Sequence, residues 1–133
     1  NVRRSATYHI PLLDYHTHDS YDEFCEKNPG EYFYMTRHAS QAPSSVDFAH
    51  YRDSEIFLIF GRESTGLPHE LIAENESRSF RLPMTPGTKS LNVSNAVCVA
   101  AYEVLRQLDY PGLDTRDEEI DIHQRESFDD FSR

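Results

Sequence analysis

The sequence predicts an α/β protein in which helices cover a mostly parallel sheet in three layers. Two observations support this class. Short apolar runs alternate along the chain with segments of helical pattern, and such alternation is typical of parallel sheets. The run at 55–60 (EIFLIF) is apolar without interruption, which indicates a strand covered on both faces. A chain of 133 residues with 38% hydrophobic residues can bury one such core.

The first half of the chain predicts a helix, a strand and a loop. Residues 19–26 (DSYDEFCE) begin with two residue types that cap helices, and they end before Asn28-Pro29-Gly30, which stops a helix. The aromatic run at 31–36 (EYFYMT) predicts a strand, and the polar stretch at 37–45 predicts a loop.

The second half predicts a further strand and two helices. After the strand at 55–60, Pro68 suits a first helical position, so HELIAEN at 69–75 predicts a short helix. Residues 78–82 predict the next strand, and a loop with two prolines and a glycine follows it.

A long helix is predicted from Val93 onward, ended by Tyr110-Pro111-Gly112. Its apolar side chains form two stripes. One stripe can pack on the sheet, and the other needs a second partner, most simply another copy of the chain. We therefore expect a homodimer through the helix at 92–108. The stripes are Val93, Val97, Ala100, Val104 and Leu108, and Ser94, Cys98, Ala101 and Leu105.

The charge of the chain is unusual for a protein that binds nucleic acid. The net charge is −10, whereas such proteins are more often basic because phosphate contacts need Lys and Arg. Eight acidic residues lie at 114–133, which we interpret as a loosely ordered tail. A local basic patch stays open as an alternative, since the whole chain contains 13 basic residues.

Composition also bears on location and on thiol chemistry. No apolar run reaches the length of a membrane span and no charged-then-apolar leader is present, so a cytoplasmic protein is expected. Cys25 and Cys98 lie far apart in the sequence and neither belongs to a CxxC pair. They predict reduced, buried thiols rather than a disulfide framework or a metal knuckle.

The first candidate site is DYHTHDS at 14–20. In a strand, His16 and His18 would share one face, as two metal ligands should. The pattern resembles the opening motif of metal-dependent phosphoesterases of the polymerase-and-histidinol-phosphatase type. Such sites need more His, Asp and Glu ligands, and the other histidines show no matching spacing. We therefore expect no metal and interpret the segment as a strand edge with a helix cap at Asp19.

The second candidate is IFGRESTGLP at 59–68. Gly61 and Gly66 flank a charged turn directly after a buried strand, where open α/β sheets bind ligands. Glycines let the backbone bend and approach a ligand closely, and Glu63 between them is placed to face a cationic or hydroxyl-bearing substrate. The spacing matches neither GxGxxG nor a Walker loop, so a purely structural connection is the alternative.

The third candidate is the polar cluster in SLNVSNA, at the start of the long helix. One polar residue suffices to cap a helix, yet four are present: Ser90, Asn92, Ser94 and Asn95. Because they follow a proline- and glycine-bearing loop, the surplus predicts a pocket for a polar ligand.

Three segments together, FGRESTGLP, RLPMTPGTKSLNVSNA and YEVLRQLDYPG, carry a family resemblance. They resemble the SpoU branch of the SPOUT RNA methyltransferases, most of all the small single-domain tRNA 2′-O-methyltransferases that act on the wobble cytidine or uridine. The likeness runs from about residue 3 to residue 113. It implies a C-terminal trefoil knot, an exception to the rule that chains do not thread loops, together with a homodimer and a tRNA substrate.

The resemblance further implies a cofactor, S-adenosylmethionine, and no metal. Glu63, Ser90 and Asn92 match polar positions near the methyl donor and the target ribose, so they are the candidate catalytic residues. The cofactor would lie between Met35, Thr36, Phe60, Gly61, Gly66, Leu82, Met84, Leu91 and Ser94.

RNA contacts would come from Arg3, Arg4 and Arg37, for which a solvated surface role is the alternative. The family's first motif, a strand and helix with Asn and Arg, precedes the matching segment. We expect residues 1–113 to form the methyltransferase domain without that motif, followed by the acidic tail at 114–133.

The reaction that this resemblance implies is methyl transfer from S-adenosylmethionine to a ribose 2′-hydroxyl of RNA. A non-catalytic knotted dimer that binds S-adenosylmethionine or RNA is an alternative. A metal-dependent phosphoesterase using His16 and His18 is the third interpretation.

Overall fold

The computed structural model describes residues 14–88 and 91–114. The chain divides into two units, Asn1–Gly30 and Glu31–Arg133. The predictions for Arg3, Arg4, Ser90 and the acidic tail beyond residue 114 lie outside the described residues.

The first unit contains one described helix, α1 (Tyr21–Lys27). The hydroxyl of Ser20 caps it by accepting a hydrogen bond from the backbone N–H of Glu23 at 3.1 Å. Glu23 in turn forms an ion pair with Lys27, one turn later. The helix ends at Lys27 with Asn28 as its C-cap, so the predicted helix and its stop before Asn28-Pro29-Gly30 are confirmed, whereas the N-cap is Ser20 rather than the expected Asp19.

The second unit is built on a parallel sheet of β1 (Glu31–Met35), β2 (Ile56–Phe60) and β3 (Ser79–Phe80), in the order β2-β1-β3. In this register Met35 is paired with Phe60 on one side and with Phe80 on the other. The carboxyl ends of the three strands therefore meet at one edge of the sheet. The predicted α/β class with a parallel sheet is confirmed.

Two more helices belong to this unit: α2 (His69–Glu74) and α3 (Val93–Gln107). The core lies between the sheet and α3, which buries Ala96, Ala100 and Val104. Alanine lets the helix approach the aromatic layer closely, where the rings of Phe33 and Phe48 are 4.8 Å apart in an edge-to-face arrangement. No helix within the described ranges is both long and apolar enough to cross a membrane.

Arg78 stabilises the opposite, amino end of the sheet. Its guanidinium lies over the rings of Phe33 and Tyr51, at 5.3 and 5.2 Å from their centroids. The same group forms an ion pair with Glu31 at the start of β1. Because Arg stacks on aromatic faces while donating to a carboxylate, this one side chain joins three segments.

Strand β3 is shorter than the five residues predicted at 78–82. Arg78 completes a 3₁₀ turn, Glu76–Arg78, so the strand starts only at Ser79. Beyond Phe80, the N–H of Arg81 donates to the carbonyl of Gln41 at 2.9 Å rather than to a strand. The loop around Gln41 therefore ends the ladder, a tertiary effect that the local sequence does not encode.

Strand β2 is half-buried along its whole length rather than covered on both faces. It occupies an end position in the described sheet and pairs there with β1 alone. The loop after β1 also contains two 3₁₀ turns that periodicity did not predict, Pro43–Ser45 and Phe48–Tyr51. The second places Phe48 fully inside the core.

Helix α3 buries one face only. Its core stripe begins at Ala96, whereas Val97 of the predicted stripe is 37% exposed and Val99 is 51% exposed. Cys98 is also exposed, which corrects the expectation of a buried thiol, although neither cysteine is disulfide-bonded.

Candidate active site

The candidate site lies at the carboxyl edge of the sheet. The chain leaves β1 at Thr36, β2 at Gly61 and β3 at Arg81, and the register places these exits side by side. The N–H of Thr36 donates to the carbonyl of Phe80 at 3.0 Å, which holds the ends of β1 and β3 together past the last ladder pair. Open α/β sheets bind ligands at this edge.

A small cavity of about 70 Å³, which we call the edge cavity, opens between these exits and the start of α3. Its walls are mainly apolar. It brings together five of the nine predicted cofactor residues with the predicted RNA contact Arg37. The lining residues are Met35, Thr36, Arg37, Arg81, Leu82, Met84, Leu91 and Ala96.

Thr36 shapes the edge cavity through a tight turn. The residue is buried, and its hydroxyl accepts a hydrogen bond from the N–H of His38 at 3.2 Å. Its carbonyl accepts from the N–H of Ala39 at 3.3 Å. These two bonds turn the chain at the end of β1, so that the exposed side chain of Arg37 lies at the rim.

A second, more open space of about 520 Å³, the loop cleft, lies beside the end of β2. It contains three further predicted cofactor residues, Phe60, Gly61 and Gly66. Eight of the nine predicted cofactor residues are therefore divided between two spaces at neighbouring strand ends, and the ninth, Ser94, lines neither. The loop cleft is lined by Phe60, Gly61, Arg62, Thr65, Gly66, Leu67, Pro68 and His69.

The loop at 61–67 folds back on itself. The N–H of Gly66 donates to the carbonyl of Arg62 at 2.8 Å, and Gly66 has a φ of +70°, which favours glycine. A Cβ on Gly61 would stand 2.2 Å from the carbonyl carbon of Gly66 and 2.4 Å from the nitrogen of Leu67. Only glycine fits at position 61, because the obstructing atoms belong to the backbone.

The structure places Glu63 on this loop as an exposed residue, outside the lining of either space. It is thus close in sequence to Gly61 and Gly66 but is not brought to the wall of the edge cavity.

Asn92 is the N-cap of α3. Its side-chain oxygen accepts hydrogen bonds from the backbone N–H of Ser94 at 2.9 Å and from the Ser94 hydroxyl. Two members of the polar cluster therefore start the helix, as the capping interpretation predicted for one of them. Because the side-chain oxygen of Asn92 serves the cap, its amide nitrogen is the group suited to donate to a ligand.

Sequence reasoning missed Arg81 and Ala96 in the edge cavity. Arg81 opens the segment RLPM, whose apolar residues were predicted, so adjacency in the sequence was an available signal. It also missed the contact of His38 with His69, whose ring centroids are 5.2 Å apart. Nothing in the local sequence indicates that contact.

The histidines of DYHTHDS make other contacts. The Nε2 of His16 lies 2.9 Å from a carboxylate oxygen of Asp14, and the ring of His18 packs edge-on against Phe24. Within 14–88 and 91–114, no three His, Cys, Asp or Glu side chains are grouped as metal ligands would be. The described residues thus supply no third ligand for a phosphoesterase site.

A parallel α/β sheet with a largely apolar cavity and a glycine-constrained loop at its carboxyl edge is typical of the class of α/β proteins that bind a ligand outside the ends of their strands. Within that class, the chain belongs to the SpoU rRNA Methylase family, whose model matches residues 1–102.

Two curated relatives within this family match most of the chain. A Geobacillus stearothermophilus protein, provisionally named a tRNA (cytidine(34)-2′-O)-methyltransferase, is 42% identical over 113 residues, which cover 84% of this chain and 71% of the relative. The Escherichia coli K12 tRNA (cytidine(34)-2′-O)-methyltransferase is 41% identical over 113 residues, which cover 79% of this chain and 69% of the relative.

Three solved structures have folds similar to that of this chain. A Bacillus anthracis protein, provisionally assigned as an RNA methyltransferase, superposes with a TM-score of 0.78 at 38% identity, over 87% of this chain and 73% of its own. A structure describing 2′-OH methylation of C/U34 on tRNA gives a TM-score of 0.70 at 33% identity, over 80% and 67%. An AdoMet-bound rRNA methyltransferase from Sinorhizobium meliloti gives 0.51 at 25% identity, over 62% and 31%.

Proposed function

We propose that this protein transfers a methyl group from S-adenosylmethionine to the ribose 2′-hydroxyl of the wobble nucleotide, position 34, of tRNA. The observation that carries the proposal is the edge cavity, in which Met35, Thr36, Leu82, Met84 and Leu91 meet at the ends of two parallel strands and the start of α3. The named relatives and the AdoMet-bound neighbour support the same activity and cofactor.

The residues at this edge fit the cofactor. The apolar side chains suit an adenine ring and an aliphatic chain, while the loop at 61–67 offers backbone groups without side-chain obstruction. The edge cavity alone is smaller than the several hundred Å³, roughly 300–1,000, typical of cofactor sites. Since neighbouring strands are about 5 Å apart, we place the cofactor across the edge cavity and the loop cleft together.

The cofactor supplies an electrophilic methyl group on a sulfonium. Bound across the edge cavity and the loop cleft, it would supply this methyl group to the ribose 2′-oxygen, whose proton would pass to solvent. The chain contributes mainly alignment, since a secondary hydroxyl is a weak nucleophile that must be held in line. We assign the orienting contacts to the amide nitrogen of Asn92, the carboxylate of Glu63 and the hydroxyl of Ser90.

The RNA would approach over the rim, where Arg37 and Arg81 are both exposed beside the edge cavity. Both guanidinium groups suit phosphate contacts. We assign the same role to Arg3 and Arg4. A cytoplasmic location is part of the same proposal.

A homodimer through α3 is part of the proposal. Val99 and Tyr102 are 51% and 63% exposed on the side of α3 that faces away from the core, beside an open groove of about 580 Å³. Exposed apolar side chains on one helix face favour a second copy of the chain. We further propose, on the likeness to the solved structures, that residues 1–113 form the methyltransferase domain and that its C-terminal part is tied in a trefoil knot.

The direct test incubates the full chain with tritium-labelled S-adenosylmethionine and an unmodified tRNA transcript, then maps the label. We expect methyl incorporation at position 34. This incorporation should be lost when the nucleotide at position 34 is replaced by its 2′-deoxy form. A chain that binds S-adenosylmethionine but methylates neither this transcript nor bulk tRNA would favour the non-catalytic alternative.

A further inference from the structure

Four cationic or protonatable side chains lie along the ends of β1 and β2, and we call them the cationic rim: Arg37, His38, Arg62 and His69. Arg37 lines the edge cavity, while Arg62 and His69 line the loop cleft. His38 connects the two sets, because its ring contacts that of His69 with centroids 5.2 Å apart. The rim is thus a continuous feature of the candidate site.

The hydrogen bond inside the rim depends on the charge of His38. The Nε of Arg37 donates to the Nε2 of His38 at 3.4 Å, and only a neutral imidazole can accept there. Protonation of His38 removes this bond and places two cations side by side, with His69 and Arg62 adding to the repulsion. A bound anion offsets this repulsion and favours the protonated form of His38, since the anion can accept hydrogen bonds from all of these groups.

The carboxylates next to the rim in the sequence line neither space. Glu63 follows Arg62 and Glu70 follows His69, and both are exposed. On the segment after β1, Thr36 and Ala39 are buried and uncharged. The charged or protonatable side chains that line the edge cavity and the loop cleft are therefore cationic ones: Arg37, Arg81, Arg62 and His69.

We propose that His38 and His69 form a phosphate subsite that holds a phosphodiester group of the RNA substrate beside the methyl-transfer site and binds it more tightly as the pH falls. The assignment rests on the proposed function. Imidazole is the side-chain group that changes charge between about pH 5 and 8, so pH is the variable that tests a subsite built on two histidines. The other rim members, Arg37 and Arg62, keep their charge throughout.

The test measures the affinity for a fluorescently labelled, unmodified tRNA transcript at about pH 6 and pH 8, a range that spans the charge change of imidazole. The wild-type chain should bind about tenfold more tightly at the lower pH, as expected for two charge-assisted contacts. The double variant His38→Gln/His69→Gln should lose most of this increase. The matched control His50→Gln, an exposed histidine beside Tyr51, should retain it.

Calorimetry with S-adenosylmethionine separates this proposal from the proposed function. The single variant His38→Gln should bind the cofactor as the wild type does, because His38 lines neither the edge cavity nor the loop cleft. A double variant with wild-type pH dependence of tRNA binding would overturn the subsite while leaving the methyl transfer intact. If the double variant does not fold, imidazole proton shifts of the wild-type chain titrated with an RNA dinucleotide decide the matter. Unshifted His38 and His69 signals would overturn the proposal.

Discussion

Gly61 and Gly66 lie in contact across the loop after β2, so close that a Cβ on Gly61 would stand 2.2 Å from the carbonyl carbon of Gly66. The same addition at Gly66 meets no atom within 4 Å, although its φ of +70° disfavours any other residue. The two glycines are thus required for different reasons, one for space and one for backbone conformation. This difference yields the first prediction.

We expect Gly61→Ala to disrupt the loop and Gly66→Ala to strain it. A left-handed alanine costs about 1–2 kcal/mol of folding free energy, whereas the overlap at Gly61 forces the backbone apart. Affinity for S-adenosylmethionine, measured by calorimetry, should fall by more than about tenfold, or 1.4 kcal/mol, in Gly61→Ala and by less in Gly66→Ala. Equal losses in the two variants would contradict the packing argument.

Substitutions of Asn92 separate its cap from its proposed contact with the ribose. Asn92→Ala should lower the free energy of unfolding by about 1 kcal/mol, because the N-cap of α3 is lost. Asn92→Asp keeps an oxygen that accepts from Ser94 but replaces the amide donor with a carboxylate. It should therefore retain stability in urea titrations and lose methyl transfer. Full activity in Asn92→Asp would exclude a donor role for this side chain.

The exposed side of α3 supplies a prediction about assembly. Val99→Glu puts a charge into the proposed dimer interface, so light scattering should report a monomer where the wild type is a dimer. Leu113→Glu is the control, since Leu113 is exposed to a similar extent, 53%, and lies beyond the helix. A monomeric wild type, or a dimeric Val99→Glu variant, would argue against this interface.

Stability at low pH should depend on Glu103. Hydrogen bonds from Arg106 and from Gln107 lower the pKa of its carboxyl from 4.5 to about 2. The folded chain thus favours the charged form. This contribution is complete above pH 4.5 and is lost as the pH falls through about 2.

Glu103→Gln should consequently show a smaller loss of unfolding free energy than the wild type between these two pH values. The effect should weaken with added salt, because the side chain of Arg106 is 58% exposed. Glu74→Gln, at an exposed position on α2, is the control and should follow the wild-type profile. Identical profiles for all three proteins would refute the contribution of Glu103.

Arg78 should not be replaceable by lysine. Arg78→Lys keeps the charge near Glu31 but loses the planar stacking over Phe33 and Tyr51, which we expect to lower the free energy of unfolding by about 1 kcal/mol. Arg52→Lys, at an exposed position, should change stability by less than half as much. Chemical denaturation of both variants provides the comparison.

The local sequence pattern was sufficient to predict an element when the residues that start and end it lie within the element or next to it. The period of apolar residues located α3, and the caps and stop signals located α1, because those signals are local. The length of β3 was not predictable, since it is set by the bond of Arg81 to Gln41, a residue far away in the sequence. The core position of Phe48 was not predictable either. This residue lies in a single 3₁₀ turn, and one turn is too short to show a periodic pattern of apolar residues.

The same distinction between local signals and contacts of distant residues applies to the candidate site. The strand end and the glycines predicted a site around Gly61, and the family resemblance added Thr36 and Leu82, which lie at the same carboxyl edge of the sheet. Arg81 and the contact of His38 with His69 depend on the register of the strands, which one sequence does not specify. Glu63 was assigned to the site from its place between two glycines and from the family resemblance, and the structure leaves it exposed on the loop.

Whether the edge cavity holds the cofactor can be decided by a calorimetric titration of the full chain with S-adenosylmethionine, repeated with Leu91→Trp and Leu113→Trp. Leu91 lines the edge cavity and is 40% exposed, so a tryptophan there should fill the space without unfolding the chain. We expect saturable binding by the wild type and by Leu113→Trp, and at least about tenfold weaker binding by Leu91→Trp. A folded wild-type chain that binds no cofactor, or a Leu91→Trp variant that binds as tightly as the wild type, would contradict this expectation.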